Sequence, residues 1–193
     1  IDHARVFTMP LSNPPPRRLA HTRTVTCRAY ARDDGLWDIE GHMTDIKTQD
    51  IDNEDRGGTI PAGEPVHEMW LRITLDSQLN IHDAEASTEF APFNLCPAIT
   101  SAYKKLAGLK IGPGWNKEVK AMLGNIHGCT HHTELLGPMA TTAYQALYQE
   151  LKSQEQQNKQ PPAIMNTCHT LAANSSVAAR LWPEYADKST EST

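Results

Sequence analysis

The chain has 193 residues, of which 39% are hydrophobic and 21% are charged, and its formal net charge at pH 7 is -5. This length suits one domain with a moderate core. The scattered lysines and arginines give no basic footprint for nucleic acid, and no apolar run approaches the roughly 20 residues of a membrane span. We therefore expect a protein that binds neither nucleic acid nor membrane. The first residues lack the pattern of a signal peptide, which favours a cytoplasmic location.

The N-terminal third of the chain predicts an arm followed by a hairpin. Residues 1–20 include the triplet Pro14-Pro15-Pro16, and because proline supplies no backbone donor this segment is expected to be an extended arm. Small and apolar residues alternate with polar ones over residues 21–31, which is typical of a strand. An Asp-Gly turn and a second strand over residues 36–43 complete a predicted β-hairpin. Residues 50–63 are polar and glycine-rich and are expected to form a loop.

The third predicted strand has the clearest alternation. Residues 67–75 place His67 on the same face as four aliphatic residues, since side chains along a strand alternate between its two faces. An imidazole at the end of such a face is either a core histidine or a ligand at the mouth of the core, and both interpretations stay open. A fourth strand over residues 79–84 follows, and an antiparallel meander is the simplest topology.

After Pro92 the hydrophobic period changes to that of helices. We expect helices beginning at Cys96, at Trp115 and at His131, the last running to about Leu151. The predicted fold class is therefore α+β, with an antiparallel sheet in the N-terminal half packed by three C-terminal helices. Residues 21–151 form the single predicted domain. Residues 152–193 are expected to be a linker and C-terminal tail with a short helix, and residues 188–193 to be disordered.

The segment from Gly128 to Leu135 concentrates a thiol, two imidazoles and a carboxylate. Thr130 is a plausible N-cap, which would place Cys129 beside the positive end of the helix and favour its thiolate. His131 and Glu134 are three residues apart and share a helix face, whereas His132 is expected to point elsewhere. Thiolate, imidazole and carboxylate groups are ligands for zinc or iron. The sequence therefore predicts a functional site here, against the alternative of a buried thiol beside surface histidines.

Three residues begin elements of the predicted fold: His67 the third strand, Cys96 the first helix and Cys129 the third helix. With the surrounding segments 65–76, 93–108 and 128–147, this order resembles the NifU/SufU iron-sulfur scaffold family, which has cysteines at these points. The resemblance implies a SufE/NifU-like arrangement in which the three residues converge on one metal.

Departures from that family change the expected chemistry. His67 stands where the family has its first cysteine, and His131, His132 and Glu134 have no counterpart in it. A set of harder ligands favours a single zinc or iron ion over a thiolate-bridged cluster.

A second resemblance spans most of the chain. Segments 21–23, 32–41, 67–69 and 128–131, including Arg32-Asp33-Asp34-Gly35-Leu36-Trp37 and Gly128-Cys129-Thr130-His131, resemble an uncharacterised proteobacterial domain family. This resemblance implies no particular activity.

The leading hypothesis is a mononuclear zinc or iron enzyme, a lyase, hydrolase or isomerase, acting on a small-molecule substrate. His67, Cys96 and Cys129 are its predicted metal ligands, with His131 as a further ligand or, together with Glu134, as the catalytic acid-base group. The alternatives are an iron-sulfur or sulfur-transfer accessory protein, metal-free chemistry with Cys129 as nucleophile, and a small interaction domain. The oligomeric state, and whether Cys168 and His169 join the site, are left open.

Overall fold

Four long antiparallel strands form the main sheet. The computed structural model describes residues 11–187 of the chain. The strands of the main sheet are β1 (His21–Ala31), β2 (Trp37–Lys47), β5 (Pro65–Leu75) and β6 (Ile81–Phe90), and they lie side by side in that order. Helices follow the sheet in the sequence, as the change of hydrophobic period predicts. The α+β class and the antiparallel sheet are therefore confirmed.

The Asp-Gly turn connects β1 to β2 as predicted. Gly35 adopts a φ of 83°, a left-handed conformation that glycine adopts without steric cost, and the amide of Arg32 donates to the carbonyl of Leu36 at 2.9 Å. Pairing then runs from Ala31 opposite Trp37 to His21 opposite Lys47. The turn thereby fixes which residues of β1 and β2 lie side by side.

Residues 50–63 form a small hairpin, so the loop prediction for this segment was wrong. Strands β3 (Ile51–Asn53) and β4 (Gly58–Ile60) pair antiparallel around a short 3-10 helix, Glu54–Arg56. The Asn53 side chain accepts a hydrogen bond from the amide of Arg56, which caps the turn. The strands are too short to show alternation, and their polar composition resembles that of a loop.

The helical half begins with a 3-10 helix at Cys96–Leu106, where an α-helix was expected. It is followed by α1 (Trp115–Leu123) and by α2 (Thr130–Gln157), which packs on strands β1, β2 and β5. The first residue of α2 is Thr130 and its N-cap is Cys129, so the assignment of Thr130 as the N-cap was wrong by one position. Helix α2 also continues beyond Leu151, the predicted end of the domain.

Glycine allows α2 to lie close to the sheet. A Cβ atom added at Gly41 of β2 would lie 2.7 Å from Sδ of Met139 and 3.4 Å from Cβ of Leu135. Leu135, Met139, Ala143 and Leu147 form the buried stripe of the helix, and they pack on the strand face that carries Met43 and Met69. The Met139 and Leu135 side chains therefore pack directly on the β2 backbone at Gly41.

The opposite face of the sheet is polar. Arg28, Glu40, Arg72 and Glu85 occupy one cross-strand row in which the charges alternate, and Arg72 contacts both of its acidic neighbours. Opposite charges on directly paired residues stabilise a sheet modestly. The row explains why this face needs no helix to cover it.

The two ends of the chain are described only in part. Residues 11–20, the described half of the predicted arm, are exposed and lie outside strands and helices, whereas the first ten residues and the predicted disordered residues 188–193 lie outside the described residues. Near the C-terminus are a 3-10 helix, His169–Leu171, and the short α3, Ser176–Leu181. Among the described helices, none is both long and apolar enough to cross a membrane.

Candidate metal centre

Three neighbouring strands bring Arg23, Asp45 and His67 into one row. Arg23 of β1 pairs with Asp45 of β2, and Asp45 pairs with His67 of β5. Since paired residues point to the same face, all three side chains lie on the face that α2 covers. The pairing of β2 with β5 shifts register immediately after this row, between Asp45 and Ile46. The row is therefore the last regular one before an irregularity of the kind that often adjoins functional sites.

Asp45 is a buried carboxylate with several donors around it. Only 3% of its side chain is exposed. Oδ1 accepts from His21 Nε2 at 3.0 Å and from Arg23 Nε at 2.8 Å, and Oδ2 accepts from Arg23 NH2 at 2.7 Å and from His67 Nδ1 at 3.1 Å. Burial acts to raise the pKa of Asp45, but hydrogen bonds and the positive charge from Arg23 outweigh it and lower that pKa to about 2. The carboxylate is therefore ionised at neutral pH.

His67 is held between Asp45 and the first turn of α2. Its ring and that of His131 have centroids 3.8 Å apart with an interplanar angle of 31°. Burial and the neighbouring His131 lower the pKa of His67 to about 4 against the opposing effect of Asp45. A neutral imidazole whose Nδ1 donates to a carboxylate keeps Nε2 available as an acceptor or metal ligand.

A buried tyrosine anchors the start of α2 over this row. The Tyr103 hydroxyl accepts from the amide of Cys129 at 3.0 Å and lies 2.8 Å from both the Cys129 carbonyl oxygen and Thr133 Oγ1. The Thr133 amide donates to the same carbonyl at 2.9 Å, which closes the first helical turn. These contacts fix the position from which α2 presents His131 and Glu134.

Cys129 lies beside His131 at the beginning of the helix. Its Sγ is 3.8 Å from His131 Nδ1. Burial acts to raise the pKa of Cys129, but the His131 ring and the backbone amides of His131 and His132 have the larger combined effect, and that pKa is lowered. The thiolate preference expected from the sequence therefore has a structural basis.

Asp45, His67 and His131 together form a group that could hold a metal ion. Each offers one ligand atom, and these atoms all lie within 4.8 Å of one another. His131 Nε2 is 3.8 Å from Asp45 Oδ2, whereas its Nδ1 faces Cys129. The carboxylate and the thiol therefore approach opposite nitrogens of the same ring.

Some of the predicted site residues belong to this group or contact it, and others do not. His67 and His131 belong to it, Cys129 adjoins it through His131, and Glu134 reaches it through a contact with Arg23. Cys96, at the start of the 3-10 helix, is not a member of the group found among residues 11–187. The ligand roles of Cys96 and Cys129 stay predictions. The same applies to the catalytic role of Glu134.

His132 points away from this group, in the direction that the helical spacing indicates. Its side chain is fully buried, and Nε2 donates to the carbonyl of Ser87 at 3.0 Å. Burial lowers the pKa of His132, which favours the neutral ring, and the side chain lies in the core. Cys168 is exposed and His169 begins a 3-10 helix near the C-terminus, and neither belongs to the Asp45 group.

Sequence reasoning missed Asp45. It considered Arg23 only as one of several strand arginines that could hold an acidic substrate, and it did not place Arg23 or His21 in this site. The signal for Asp45 was present: Ile39, Gly41 and Met43 occupy alternate positions of β2, and one further step of two reaches Asp45. The predicted second strand ended at Met43, which removed Asp45 from consideration. Arg23 likewise precedes Val25, Cys27 and Ala29 at the period of a strand.

The fold and this group define an α+β protein with a candidate metal centre between its sheet and its longest helix. A family model described as "Protein of unknown function (DUF2889)" matches residues 21–145. The match covers more than half of the chain and every residue of the Asp45 group, so the chain belongs to this family, and the prediction of an uncharacterised family is confirmed. No curated protein and no solved structure was found to match the chain.

Proposed function

We propose that the protein binds a divalent transition-metal ion, zinc or iron, through Asp45, His67 and His131, and uses it in catalysis on a small-molecule substrate. The observation that carries this proposal is the approach of the three ligand atoms to within 4.8 Å of one another. Two imidazoles with one carboxylate is a ligand set that suits non-haem iron(II), and catalytic zinc also takes three protein ligands and an open position.

The donor set fits a cation, although Arg23 competes with it. The four hydrogen bonds to Asp45 use about the number of acceptor sites that a carboxylate offers, so an ion must displace one of these donors. The neutral state of His67 supports ligation, because a protonated imidazole does not bind a metal. Metal binding therefore requires that Asp45 give up one of its hydrogen bonds for a bond to the ion.

A bound ion would supply Lewis acidity or an activated water. Nearby side chains would carry out the proton transfer and hold the ligands in place. With His131 as a ligand, Glu134 is the carboxylate left to move a proton, and its side chain is half exposed, so it can reach a bound molecule. Arg23 holds Asp45 in its buried position. Cys129 is a candidate additional ligand if the ring of His131 turns.

Titration of the metal-free protein with cobalt(II), read by absorption spectroscopy and by metal analysis, tests the proposal. We expect one equivalent to bind to the wild type and none to His67→Gln. His42→Gln is the matched control, because His42 pairs with Glu68 on the opposite face of the sheet, and it should bind normally. Circular dichroism verifies that each variant is folded. A wild type that binds no metal, or a His67→Gln variant that binds like the wild type, would overturn the proposal.

The same spectra distinguish the alternative ligand sets. A thiolate ligand gives a sulfur-to-cobalt charge-transfer band, so such a band, lost in Cys129→Ser or Cys96→Ser, would add that cysteine to the set. We expect Cys27→Ser to leave the spectrum unchanged, because Cys27 packs against the core in the middle of β1.

A second candidate function is nucleophilic catalysis by Cys129. Its Sγ lies 3.8 Å from His131 Nδ1, and His131 Nε2 lies 3.8 Å from Asp45 Oδ2, an order of thiol, imidazole and carboxylate that suits an activated nucleophile. The test is a burst of nitrophenolate from p-nitrophenyl acetate as the Cys129 thiolate is acylated. A burst that is abolished in Cys129→Ser and unaffected by a chelator would favour this function over the metal site.

A further inference from the structure

A second concave site lies along a different face of α2 from the one that packs on the sheet. It is an open cleft of about 1340 Å³ between the start of α1, the middle of α2 and residues 163–182. Asp45, His67 and His131 do not line this cleft. A mostly apolar concavity with a few polar groups is the usual form of a small-molecule site.

Small residues leave the floor of the cleft empty. Gly137, Ala140 and Thr141 of α2 line it at helical spacing. A Cβ atom added at Gly137 would meet no other atom within 4 Å. The surface of α2 is therefore open at Gly137, so a ligand in the cleft can approach the helix backbone directly.

Aromatic side chains form the walls. Trp115, Tyr144, Tyr148 and Trp182 all line the cleft. Tyr144, Tyr148 and Trp182 are each partly exposed. Such faces stack favourably on planar aromatic ligands. The indole Nε1 of Trp115 is buried without a hydrogen-bond partner in the described structure.

One charged side chain lines the cleft directly, and an acidic one lies beside it. Within residues 11–187, Lys117 is the only charged side chain in the lining, whereas the Glu155 carboxylate accepts a hydrogen bond at 2.8 Å from the amide of Ala163, a lining residue. The loop Gly112–Gly114 and the first residues of α1 also line it, and the N-cap Gly114 provides no side-chain hydrogen bond. The amides of Trp115 and Lys117 have backbone acceptors and Glu118 already lies in the first turn of α1, so the Lys117 ammonium is the group that favours an anion here.

We propose that this cleft binds an aromatic anion, such as an aryl carboxylate, with the ring against Tyr144, Tyr148 and Trp182 and the acidic group beside Lys117. The proposal is independent of the metal centre and of the catalytic function proposed for it. It assigns a ligand class from the joint presence of aromatic walls and of Lys117 as the one charged side chain in the lining among residues 11–187; the Glu155 carboxylate beside the cleft is already engaged by the Ala163 amide.

Isothermal titration calorimetry with 2-naphthoate, and with neutral 2-naphthylmethanol as the comparison ligand, tests the proposal. Gly137→Phe fills the floor of the cleft and should abolish naphthoate binding, whereas the control Gln149→Phe, at an exposed position of α2 outside the cleft, should not. Lys117→Gln should weaken naphthoate by about threefold, as expected for an exposed ion pair, and leave the neutral ligand unchanged.

Several results would overturn the proposal. Absence of naphthoate binding to the wild type would refute it, as would equal affinities for Gly137→Phe and Gln149→Phe. An equal loss for the charged and neutral ligands in Lys117→Gln would refute the anionic preference. His67→Gln should bind naphthoate normally, and loss of binding there would place the ligand at the metal centre instead.

Discussion

Arg23 and Glu134 are in direct contact although they are 111 positions apart in the sequence. NH1 of Arg23 meets the Glu134 carboxylate at the start of α2, while Nε and NH2 of the same guanidinium hold Asp45. One side chain therefore connects a half-exposed acid on the helix to a buried acid in the sheet. Its positive charge also competes with any cation for Asp45.

This contact predicts how Glu134→Gln affects metal affinity. The variant releases one end of Arg23, which then interacts more strongly with Asp45, so we expect zinc affinity to fall by about threefold, the scale of a partly exposed ion pair. In an Arg23→Gln background the same change at position 134 should have no effect, and calorimetric titrations of the four proteins form the double-mutant cycle. An equal loss in both backgrounds would instead identify Glu134 as a ligand.

The lowered pKa of His67 predicts a pH-dependent stability of the metal-free protein. Its pKa is about 4 in the folded state against 6.5 ordinarily, so between these values the unfolded chain binds more protons and stability is lost as the pH falls. The full shift corresponds to about 3 kcal/mol. Urea unfolding with chelator present, at several pH values, measures this loss. The loss should be smaller in His67→Gln, and parallel curves for the two proteins would contradict the prediction.

Removing the Tyr103 hydroxyl should loosen the start of α2. Tyr103→Phe removes a fully buried hydroxyl that accepts from the amide of the half-buried Cys129, and we expect the free energy of unfolding to fall by about 1–3 kcal/mol. Tyr30→Phe, at an exposed position of β1, is the control and should be nearly neutral. Faster hydrogen exchange at the Cys129 amide would locate the effect, whereas unchanged stability and exchange would show that the hydroxyl is not an anchor.

The two half-buried thiols Cys27 and Cys129 should differ in reactivity. Burial raises the pKa of Cys27, whereas the pKa of Cys129 is lowered by His131 and by backbone amides that together outweigh its burial. Because the thiolate is the reactive form, iodoacetamide at neutral pH should modify Cys129 several-fold faster, as measured by peptide mass spectrometry. His131→Asn should slow Cys129 and leave Cys27 unchanged. Equal rates for the two cysteines in the wild type would refute the assignment.

The sheet was predictable because one of its faces is buried. Alternation in β1, β2 and β5 follows directly from that burial, and the Asp-Gly turn sets the first hairpin. The β3–β4 hairpin was not predictable, since its strands are short and are stabilised by contacts such as Asn53 Nδ2 with the Pro92 carbonyl oxygen, distant in sequence. The 3-10 geometry of Cys96–Leu106 likewise leaves no distinct periodicity in eleven residues.

The residue types of the candidate site could be predicted from the sequence, but only some of its members could. His67 and His131 stand out as imidazoles at the ends of apolar patterns, and the structure brings them together. Asp45 does not stand out, because a carboxylate near the end of a strand usually faces solvent. Its burial depends on Arg23, His21 and His67 converging across strand pairs, and that convergence depends on registers which local sequence does not encode.

Gly41 affects the distance between α2 and β2 at the candidate site, although it is not a member of the Asp45, His67 and His131 group. It lies two positions before Met43 and four before Asp45 on β2, and it is where the Met139 and Leu135 side chains of α2 pack directly on the β2 backbone. We expect a bulky residue there to displace both side chains, move α2 away from the sheet and separate His131 from Asp45. The spacing between the candidate ligands on the helix and on the sheet thus depends on a residue with no side-chain chemistry, so we expect changes in the packing at Gly41 to alter which ion the candidate centre prefers.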